Sequence, residues 1–391
     1  MKTLAKIFKQ TFWQVVGKVV TSISTFIILA VVSRIYQEAG TGVFTLVLTY
    51  LAMFNLLSDF GFNLHELRKD HVSWQKLLGT RLIWSVILIV LAVGLLPFLP
   101  FSNEFNKGVI FGILAIFPSA IFATCNLIFQ QKLRYDLSVL ASSFGTVTGL
   151  VIYLWFSYLR LPINLLLIAY SLSWTVIALS SLLLVKKFIR SFSPIYSIHY
   201  TLYLFKDSWP IAATLALNVV YFRADSFIIF FYKGVSEAGI YNLAYAIFQS
   251  ILVLPTFIMN AYYPLMLRSL KKIRLIGIIL FGLATFTTIT ILLFAPRIVK
   301  LMTGSGFTGS SQSLQILSLS LPAFFLSSLL MWLLISRGQY KKMLLIYTFG
   351  LVFNLILNFI YIPQFSYQAA SWITVLSEYL ILGVLAVSLV R

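Results

Sequence analysis

Cysteine, histidine and acidic residues are all scarce in this sequence. The 391-residue chain has one cysteine, three histidines and only ten Asp and Glu residues. A single cysteine, Cys125, excludes an internal disulfide, and it shares no metal-ligand spacing with the histidines. Ten per cent charged residues against 60% hydrophobic ones exclude an ordinary soluble domain. The connections between the apolar runs are also too short to hold a globular catalytic domain.

Apolar runs of about twenty residues are what the sequence has in abundance, and that length crosses roughly 30 Å of hydrocarbon at about 1.5 Å per residue. The chain is therefore predicted to be an all-α polytopic membrane protein with about twelve transmembrane helices. The predicted spans, numbered 1 to 12, are 12–33, 42–63, 79–100, 107–129, 137–158, 162–185, 208–231, 239–263, 275–296, 313–336, 343–362 and 367–390.

The basic residues are unevenly distributed between the two sets of connections. Of the 29 Lys and Arg residues, six are counted with the connections after odd-numbered spans and 21 with the termini or the connections after even-numbered spans. Arg81 and Lys107, at the starts of spans 3 and 4, are counted with the connections before them, and the remaining two lie deeper within spans. Because Lys and Arg are enriched in cytoplasmic loops, both termini are predicted to be cytoplasmic. The six on the opposite side are Arg34, Lys107, Arg160, Lys233, Arg297 and Lys300.

The longest cytoplasmic connection, 186–207, divides the spans into six and six. A short echo supports this division: "QEAGTGVF" (37–44) follows span 1, and "SEAGIY" (236–241) follows span 7. Gly42 and Gly239, the matching glycines, are 197 residues apart. An even number of spans per half makes the repeat parallel. The predicted domains are an N-lobe at 1–190, a linker at 191–207 and a C-lobe at 208–391.

Span 7 contains two charges, Arg223 and Asp225, in an otherwise apolar stretch. An ionised side chain at the bilayer centre costs roughly 2.5–3.5 kcal/mol, so both are predicted to face protein or water. Residues two apart on a helix do not face each other, so one could line a cavity while the other contacts a neighbouring helix. The plainer alternatives are that Arg223 reaches the interface along its aliphatic stem, or that both serve interhelical structure.

Three further charges lie in or beside spans. Lys18 lies about two turns into span 1, where it either reaches the cytoplasmic interface or faces a cavity. Asp59 is predicted to pair with Arg68 or another juxtamembrane cation. Glu378, near the middle of span 12, must be protonated, paired or exposed to water, and could bind a coupling proton or sodium ion. Asp225, Glu378 and Asp59 are therefore candidates for coupling or gating, while no catalytic or metal-binding residues are predicted.

At these positions the sequence resembles the Wzx-type polysaccharide and O-antigen flippases. The late stretch "YQAASWITVLSEYL" is similar to a late helix of that family, with Glu378 where some members carry an acid, although Tyr-Gln-Ala-Ala replaces the usual Gly-Ala-Ala. "LNVVYFRADSFIIFFYKGVSEAGIYNLAYAIFQSILVLP" resembles the family's seventh helix and the turn into the eighth, with its membrane Asp at Asp225. The first half carries Gly17–Lys18, Arg34, the turn with Glu38, Gly42 and Phe44, and Asp59-Phe60-Gly61-Phe62-Asn63.

The resemblance implies a multidrug/oligosaccharidyl-lipid/polysaccharide exporter fold, MATE-like, with two six-helix lobes in a V around a central cavity. It implies a non-enzymatic flippase in a bacterial inner membrane, serving O-antigen, lipopolysaccharide or another polysaccharide pathway. The implied cargo is a polyprenyl-diphosphate-linked oligosaccharide, with H⁺ or Na⁺ as coupling ion and no other cofactor. Implied partners are membrane lipid and polysaccharide polymerase and chain-length machinery, with no nucleic acid. Lys18 and Arg223 are the predicted diphosphate ligands, because cations bind phosphate oxygens strongly in a low-dielectric cavity.

Two other functions stay open at this point. A drug/cation antiporter of the same fold would use the acidic residues Asp59, Asp225 and Glu378 to bind a cation. A membrane-embedded polysaccharide polymerase or ligase would need acid/base groups held together, and the predicted outer loops offer few. The sequence leaves open the sugar composition of the cargo, the coupling ion, the pathway and the oligomeric state.

Overall fold

The chain is built of helices, and the computed structural model contains no β-strand in the residues it describes, 2–67, 73–189, 193–267, 269–304 and 307–390. Two short 3₁₀ turns, Leu96–Phe98 and Ile163–Leu165, adjoin longer helices. In chain order the α-helices are α1 (Lys2–Asp59), α2 (Phe62–Glu66), α3 (Trp74–Leu95), α4 (Asn103–Ile113), α5 (Ile116–Gln131), α6 (Tyr135–Tyr158), α7 (Leu166–Val185), α8 (Ile198–Lys233), α9 (Val235–Ile251), α10 (Val253–Met266), α11 (Ile273–Thr303), α12 (Thr308–Ser318), α13 (Leu321–Ser336) and α14 (Tyr340–Val390).

These helices account for the predicted spans. Backbone groups in hydrocarbon find no water to bind, so an apolar chain satisfies them within helices. In the described ranges eight helices are long and apolar enough to cross a membrane, or nine if the bent pair α12–α13 forms one span. Each predicted span lies on one helix or on two consecutive helices, as 107–129 does on α4 and α5, and α1 and α14 carry two spans each. The predicted all-helical, multi-span membrane class is confirmed.

One kink in α1 and one in α14 explain how each of these continuous helices carries two spans. Gln37 interrupts α1 with φ 56° and ψ −163°, and Ser366 interrupts α14 with φ 51° and ψ −137°. Gly234, between α8 and α9, has a similar conformation at φ 89° and ψ −176°. Gly234 lies 197 residues after Gln37, which is the same offset that separates Gly42 from Gly239. The internal echo of the sequence is therefore repeated in the backbone.

The chain divides into two compact units. Unit 1 contains Met1–Ile35 and Val43–Val220. Its helices α6 and α7 pack closely because small residues line their contact: Ser173 donates a hydrogen bond from Oγ to the Gly145 carbonyl at 2.9 Å. A Cβ built on Gly149 would lie 2.6 Å from the Ser173 side chain, so only glycine fits this crossing.

Unit 2 contains Tyr36–Gly42 and Tyr221–Arg391. One buried cluster, formed by Leu334, Ile346, Ile381 and Leu385, packs α13 against both segments of α14. The division between the units falls inside α8, between Val220 and Tyr221. The predicted lobes, which follow the sequence repeat, stay a prediction.

The sidedness of the membrane also stays a prediction. Several of the cations that predict cytoplasmic loops lie outside the described residues, as do residues 191 and 192 at the start of the predicted linker. These cations are Arg68, Lys69, Arg190, Arg268 and Arg391.

Candidate functional site

Asp225 is the centre of a buried polar cluster in unit 2. Its carboxylate is only 4% exposed, although it lies in the middle of an apolar helix, α8. Oδ1 accepts a hydrogen bond from Asn358 Nδ2 at 2.7 Å, and Oδ2 accepts one from the Tyr241 hydroxyl at 2.9 Å. Thr374 Oγ1 donates to the same Oδ2 at 3.4 Å. Three helices, α8, α9 and α14, thus converge on one carboxylate.

The cluster continues along both segments of α14. Asn358 Nδ2 also donates to Asn354 Oδ1 at 2.8 Å, and Asn354 Nδ2 donates to Ser377 Oγ at 3.2 Å. Thr374 Oγ1 lies 3.0 Å from the Ala370 carbonyl oxygen. The buried Asn358 Oδ1 has no hydrogen-bond partner within the described part of the chain. Because an unpaired buried carbonyl oxygen costs free energy, it marks a place where a cation or a water would be favourable.

Glu378 extends the polar face by one helical turn. It follows Thr374 by four residues, and it is 2% exposed. Its Oε1 accepts a hydrogen bond from the Tyr221 hydroxyl, and Tyr221 lies four residues before Asp225 on α8. Residues four apart share one face of a helix, so two acid-centred contacts lie on successive turns between α8 and α14. This arrangement explains how two buried acids are tolerated in apolar spans.

Arg223 contacts a neutral group and no acid. It is half-buried, and its Nη2 donates to the side-chain oxygen Oε1 of Gln249 at 3.3 Å. Among the described residues it forms no salt bridge, so the charge of the guanidinium is left without a carboxylate partner. Arg223 therefore has its partner on α9, whereas Asp225 has different partners on α9 and α14.

Lys18, the other predicted diphosphate ligand, lies in unit 1 on the first segment of α1. Its side chain is exposed, and it makes no hydrogen bond or salt bridge with the described residues. The preceding Gly17 packs against Val139, with a built Cβ 3.1 Å from the Val139 side chain. Whether Lys18 and Arg223 share a cavity stays a prediction.

Asp59 pairs with a cation that the sequence analysis counted among the loop charges. Arg81, in α3, is fully buried, and its Nη2 lies 3.1 Å from Asp59 Oδ1 and 3.0 Å from Asn63 Oδ1. Assigning Arg81 to a solvated connection was therefore wrong. The α3 helix begins at Trp74, five residues before the predicted start of span 3, so Arg81 lies in the second turn of a helix. Its charge made it look like part of the preceding connection, but a paired arginine does not end a helix. Arg68, the other predicted partner of Asp59, lies outside the described residues.

A second feature of unit 2 is a pair of turns that contact each other reciprocally. We call residues 36–42 and 234–239 the paired turns. A Cβ on Gly42 would collide with the carbonyl oxygen of Val235, and a Cβ on Gly239 would collide with the carbonyl oxygen of Glu38. Val235 is the residue 197 positions after Glu38, so the contact is the same from both sides. Only glycine allows two backbones to approach this closely.

The acidic residue of each paired turn accepts a hydrogen bond from another part of unit 2. Glu38 Oε1 accepts a hydrogen bond from the backbone N–H of Phe307 at 3.3 Å, directly before α12. Ser366 Oγ, at the kink of α14, donates to Glu237 Oε2 at 2.5 Å. The segment Tyr36–Gly42 is thereby bound into unit 2, although the residues on either side of it belong to unit 1.

These features can be compared with known proteins. Residues 7–270, about two-thirds of the chain, match the family described as polysaccharide biosynthesis protein. The chain belongs to the polysaccharide biosynthesis protein family. No curated protein sequence matches it.

Solved structures share the fold over nearly the whole chain. The structure of the lipid II flippase MurJ in an inward closed conformation matches 98% of this chain and 88% of its own, with a TM-score of 0.79 and 12% identity. An inward-facing multidrug resistance MATE transporter of the MOP superfamily matches 97% and 93%, with a TM-score of 0.61 and 14% identity. The MATE multidrug transporter DinF-BH matches 99% and 95%, with a TM-score of 0.65 and 15% identity. These proteins are flippases and transporters rather than enzymes, and this polysaccharide biosynthesis protein has their fold.

Asn354, Asn358 and Gln249 are polar side chains in apolar runs, and this predicts interhelical hydrogen bonds for them, but the sequence does not indicate which groups they meet. Asn354 and Asn358 are spaced four apart in span 11, and that spacing could have marked a polar helix face. Tyr241 and Thr374 carry no such signal, because tyrosine and threonine are common in membrane helices.

Proposed function

We propose that this polysaccharide biosynthesis protein is a flippase that moves a polyprenyl-diphosphate-linked oligosaccharide from the cytoplasmic to the outer leaflet by alternating access. The main support is the family match over residues 7–270, which ties the transporter fold to polysaccharide synthesis. The fold similarity to a protein described as a lipid II flippase agrees with a lipid-linked cargo.

Arg223 is the residue best suited to bind the diphosphate in this proposal. Its guanidinium presents a planar fork of donors, and within the described part of the chain one of them is used, by the neutral side chain of Gln249. A guanidinium without a carboxylate partner attracts phosphate oxygens strongly where the dielectric constant is low. Lys18 is the proposed second ligand, in the first span of the other half, and this requires that both residues face one central cavity.

The Asp225 cluster is the proposed site of the coupling ion. It offers carboxylate, amide and hydroxyl oxygens from Asp225, Asn354, Asn358 and Thr374, together with the carbonyl oxygen of Ala370. Such hard oxygen donors suit Na⁺, and the unpaired Asn358 Oδ1 fits a bound cation better than an empty protein interior. Glu378 is the proposed proton-binding group beside it. Binding an ion here would change the packing of α8 on α14, the helices that carry both acids.

The decisive experiment replaces Arg223 in the producing bacterium. We expect Arg223→Ala to lower surface polysaccharide at least tenfold and to cause lipid-linked repeat units to accumulate, because the variant loses its proposed phosphate ligand. Surface polymer is measured by gel staining, and the membrane level of the protein by immunoblotting. The matched control is Arg337→Ala, which removes an exposed arginine that has no described side-chain partner.

The antiporter alternative has one observation in its favour, since two buried acids in unit 2 would also suit a cationic drug. The same strains distinguish the two functions. Unchanged surface polymer in Arg223→Ala, with a loss of resistance to cationic dyes in Asp225→Asn, would favour the antiporter and remove Arg223 from the mechanism.

A further inference from the structure

Unit 2 carries an apolar groove of about 580 Å³ that the transport proposal does not use. It runs beside the second segment of α14, where Leu380, Val384 and Val387 form the wall. These residues are spaced three or four apart, so they share one helix face. A volume of this size is within the range of ligand-binding pockets, roughly 300–1,000 Å³.

Gly383 leaves the groove open along its length and is itself exposed. Apart from its chain neighbours and its own helix backbone, no atom lies within 4 Å of the position that a Cβ would occupy, so the space next to the backbone is uncovered. Elsewhere the two segments of α14 touch: a Cβ on Gly350 would lie 2.7 Å from Ile381 Cδ1. The first segment therefore packs closely on the second at Gly350 and does not cover Gly383.

One end of the groove is cationic. Lys342 lines this end, and its Nζ donates to the backbone carbonyl of Ser388. Among the described residues no carboxylate pairs with Lys342, and the adjacent Lys341 is exposed. Lys342 comes two residues after α14 begins and Ser388 two residues before it ends, which places this end at the level of the lipid headgroups.

The other end of the groove reaches into the hydrocarbon. Tyr379, at this end, lies nine residues before Ser388, about 14 Å along a helix. Its hydroxyl is already used, because it donates to the Leu319 carbonyl at 3.2 Å. The groove thus has a positive charge at headgroup depth and only apolar surface below it, which is the pattern of a lipid with an anionic head.

We propose that this groove binds an anionic glycerophospholipid, with its phosphate at Lys342 and one acyl chain beside Gly383. Basic pockets between transmembrane helices bind anionic headgroups, and each nearby Lys contributes appreciably to that binding. If Lys342 only extended its ammonium group to the lipid headgroups, no open groove beside its apolar stem would be needed. A protein helix in the groove would meet an ammonium group without a counter-charge. The site is independent of the proposed cargo, because neither Arg223 nor the Asp225 cluster contributes to it.

Native mass spectrometry of the purified full chain tests this site. The protein is exchanged into detergent containing equal amounts of phosphatidylglycerol and phosphatidylcholine, and the lipids retained per chain are counted. We expect the wild type to retain phosphatidylglycerol preferentially. Lys342→Gln should lower that preference about fivefold, the effect of one interfacial cation, and Gly383→Leu should abolish retention by filling the groove.

Two controls match these variants. Lys341→Gln removes an exposed neighbouring charge, and Gly282→Leu adds the same side chain at another glycine with open space around it; both should retain lipid like the wild type. Equal retention by the wild type and Lys342→Gln, or retention by Gly383→Leu, would overturn the site. Displacement of phosphatidylglycerol by an equal amount of polyprenyl phosphate would also overturn it, by assigning the groove to the carrier lipid. If Lys342→Gln fails to fold, Gly383→Leu and Lys342→Arg, which should retain lipid, still decide the question.

Discussion

Asp225 shows how a single ionisable residue is accommodated in a membrane helix. Its charge would cost roughly 2.5–3.5 kcal/mol at the bilayer centre. Hydrogen bonds to charged groups contribute about 1.5–3 kcal/mol each, so the bonds from Asn358 and Tyr241 offset most of that cost. Arg223 and Glu378 each have one described side-chain hydrogen bond, and they are therefore the charges most dependent on a ligand or a protonation change.

The ion site gives a prediction at the residue scale. We expect wild-type protein in detergent to melt at a higher Tm in NaCl than in equal KCl, because a bound ion stabilises the folded state. Asp225→Asn should abolish this difference by removing the charge that attracts the ion. In proteoliposomes Glu378→Gln should alter the dependence of transport on the proton gradient. A sodium effect that survives Asp225→Asn would exclude Asp225 as a ligand, and identical gradient dependence in Glu378→Gln would reject its coupling role.

At the scale of helices and their connections, the paired turns form a close contact between two backbones. Gly42 and Gly239 each contact the carbonyl of the other turn, and Glu38 and Glu237 bind the starts of two neighbouring helix segments. Both the glycine contacts and the positive φ of Gln37 and Gly234 follow the 197-residue repeat. Alternating access requires contacts that form in one state and break in another. In the proposed function the paired turns are a candidate for such a contact, because the two backbones approach too closely to admit a side chain.

A substitution in the paired turns gives a prediction at the element scale. Gly42→Ala should force the turns apart, since its Cβ would overlap the Val235 carbonyl, and overpacking typically costs about 1–3 kcal/mol. In a Cys125→Ala background, a cysteine at the buried Ala238 should then react with a membrane-impermeant maleimide about tenfold faster. Gly282→Ala, at an uncrowded glycine, should leave the rate unchanged. Equal labelling rates with and without Gly42→Ala would show that the turns do not hold the contact closed.

At the scale of the whole molecule, the boundary between the two compact units does not fall in a connection between helices. The division passes through α8, and the segment Tyr36–Gly42 joins unit 2 while its flanking residues belong to unit 1. The chain therefore passes from one unit to the other at residues 35–36, 42–43 and 220–221. The membrane spans and the polysaccharide biosynthesis family match over residues 7–270 agree with the transport function proposed above.

Membrane sidedness is a prediction that belongs to this scale. Since 21 of the 29 cations lie at the termini or after even-numbered spans, the positive-inside tendency places both termini in the cytoplasm. A cysteine at the exposed Lys300 should therefore be labelled by an impermeant maleimide in intact spheroplasts. A cysteine at the exposed Lys341 should be labelled only after the membrane is disrupted. The reverse pattern would invert the topology and place the cationic end of the lipid groove in the outer leaflet.

The membrane class, the approximate positions of the spans and the charges inside spans 7 and 12 could all be predicted from the sequence. These features depend on local hydropathy and length, which a linear reading measures directly. The sequence also showed the repeat through Gly42 and Gly239, because a close backbone contact demands glycine in both copies.

The pairing of residues that are distant in the chain became visible in the folded helices alone. Asp225 binds Asn358 and Thr374, which lie 133 and 149 residues away, and the chain offers many other asparagines and threonines. Arg81 is indistinguishable from a loop cation until its contact with Asp59 is seen. The open space beside Gly383 likewise has no signature in the sequence. Partner choice depends on how whole helices pack, and packing is set by the sum of many weak contacts rather than by any one residue.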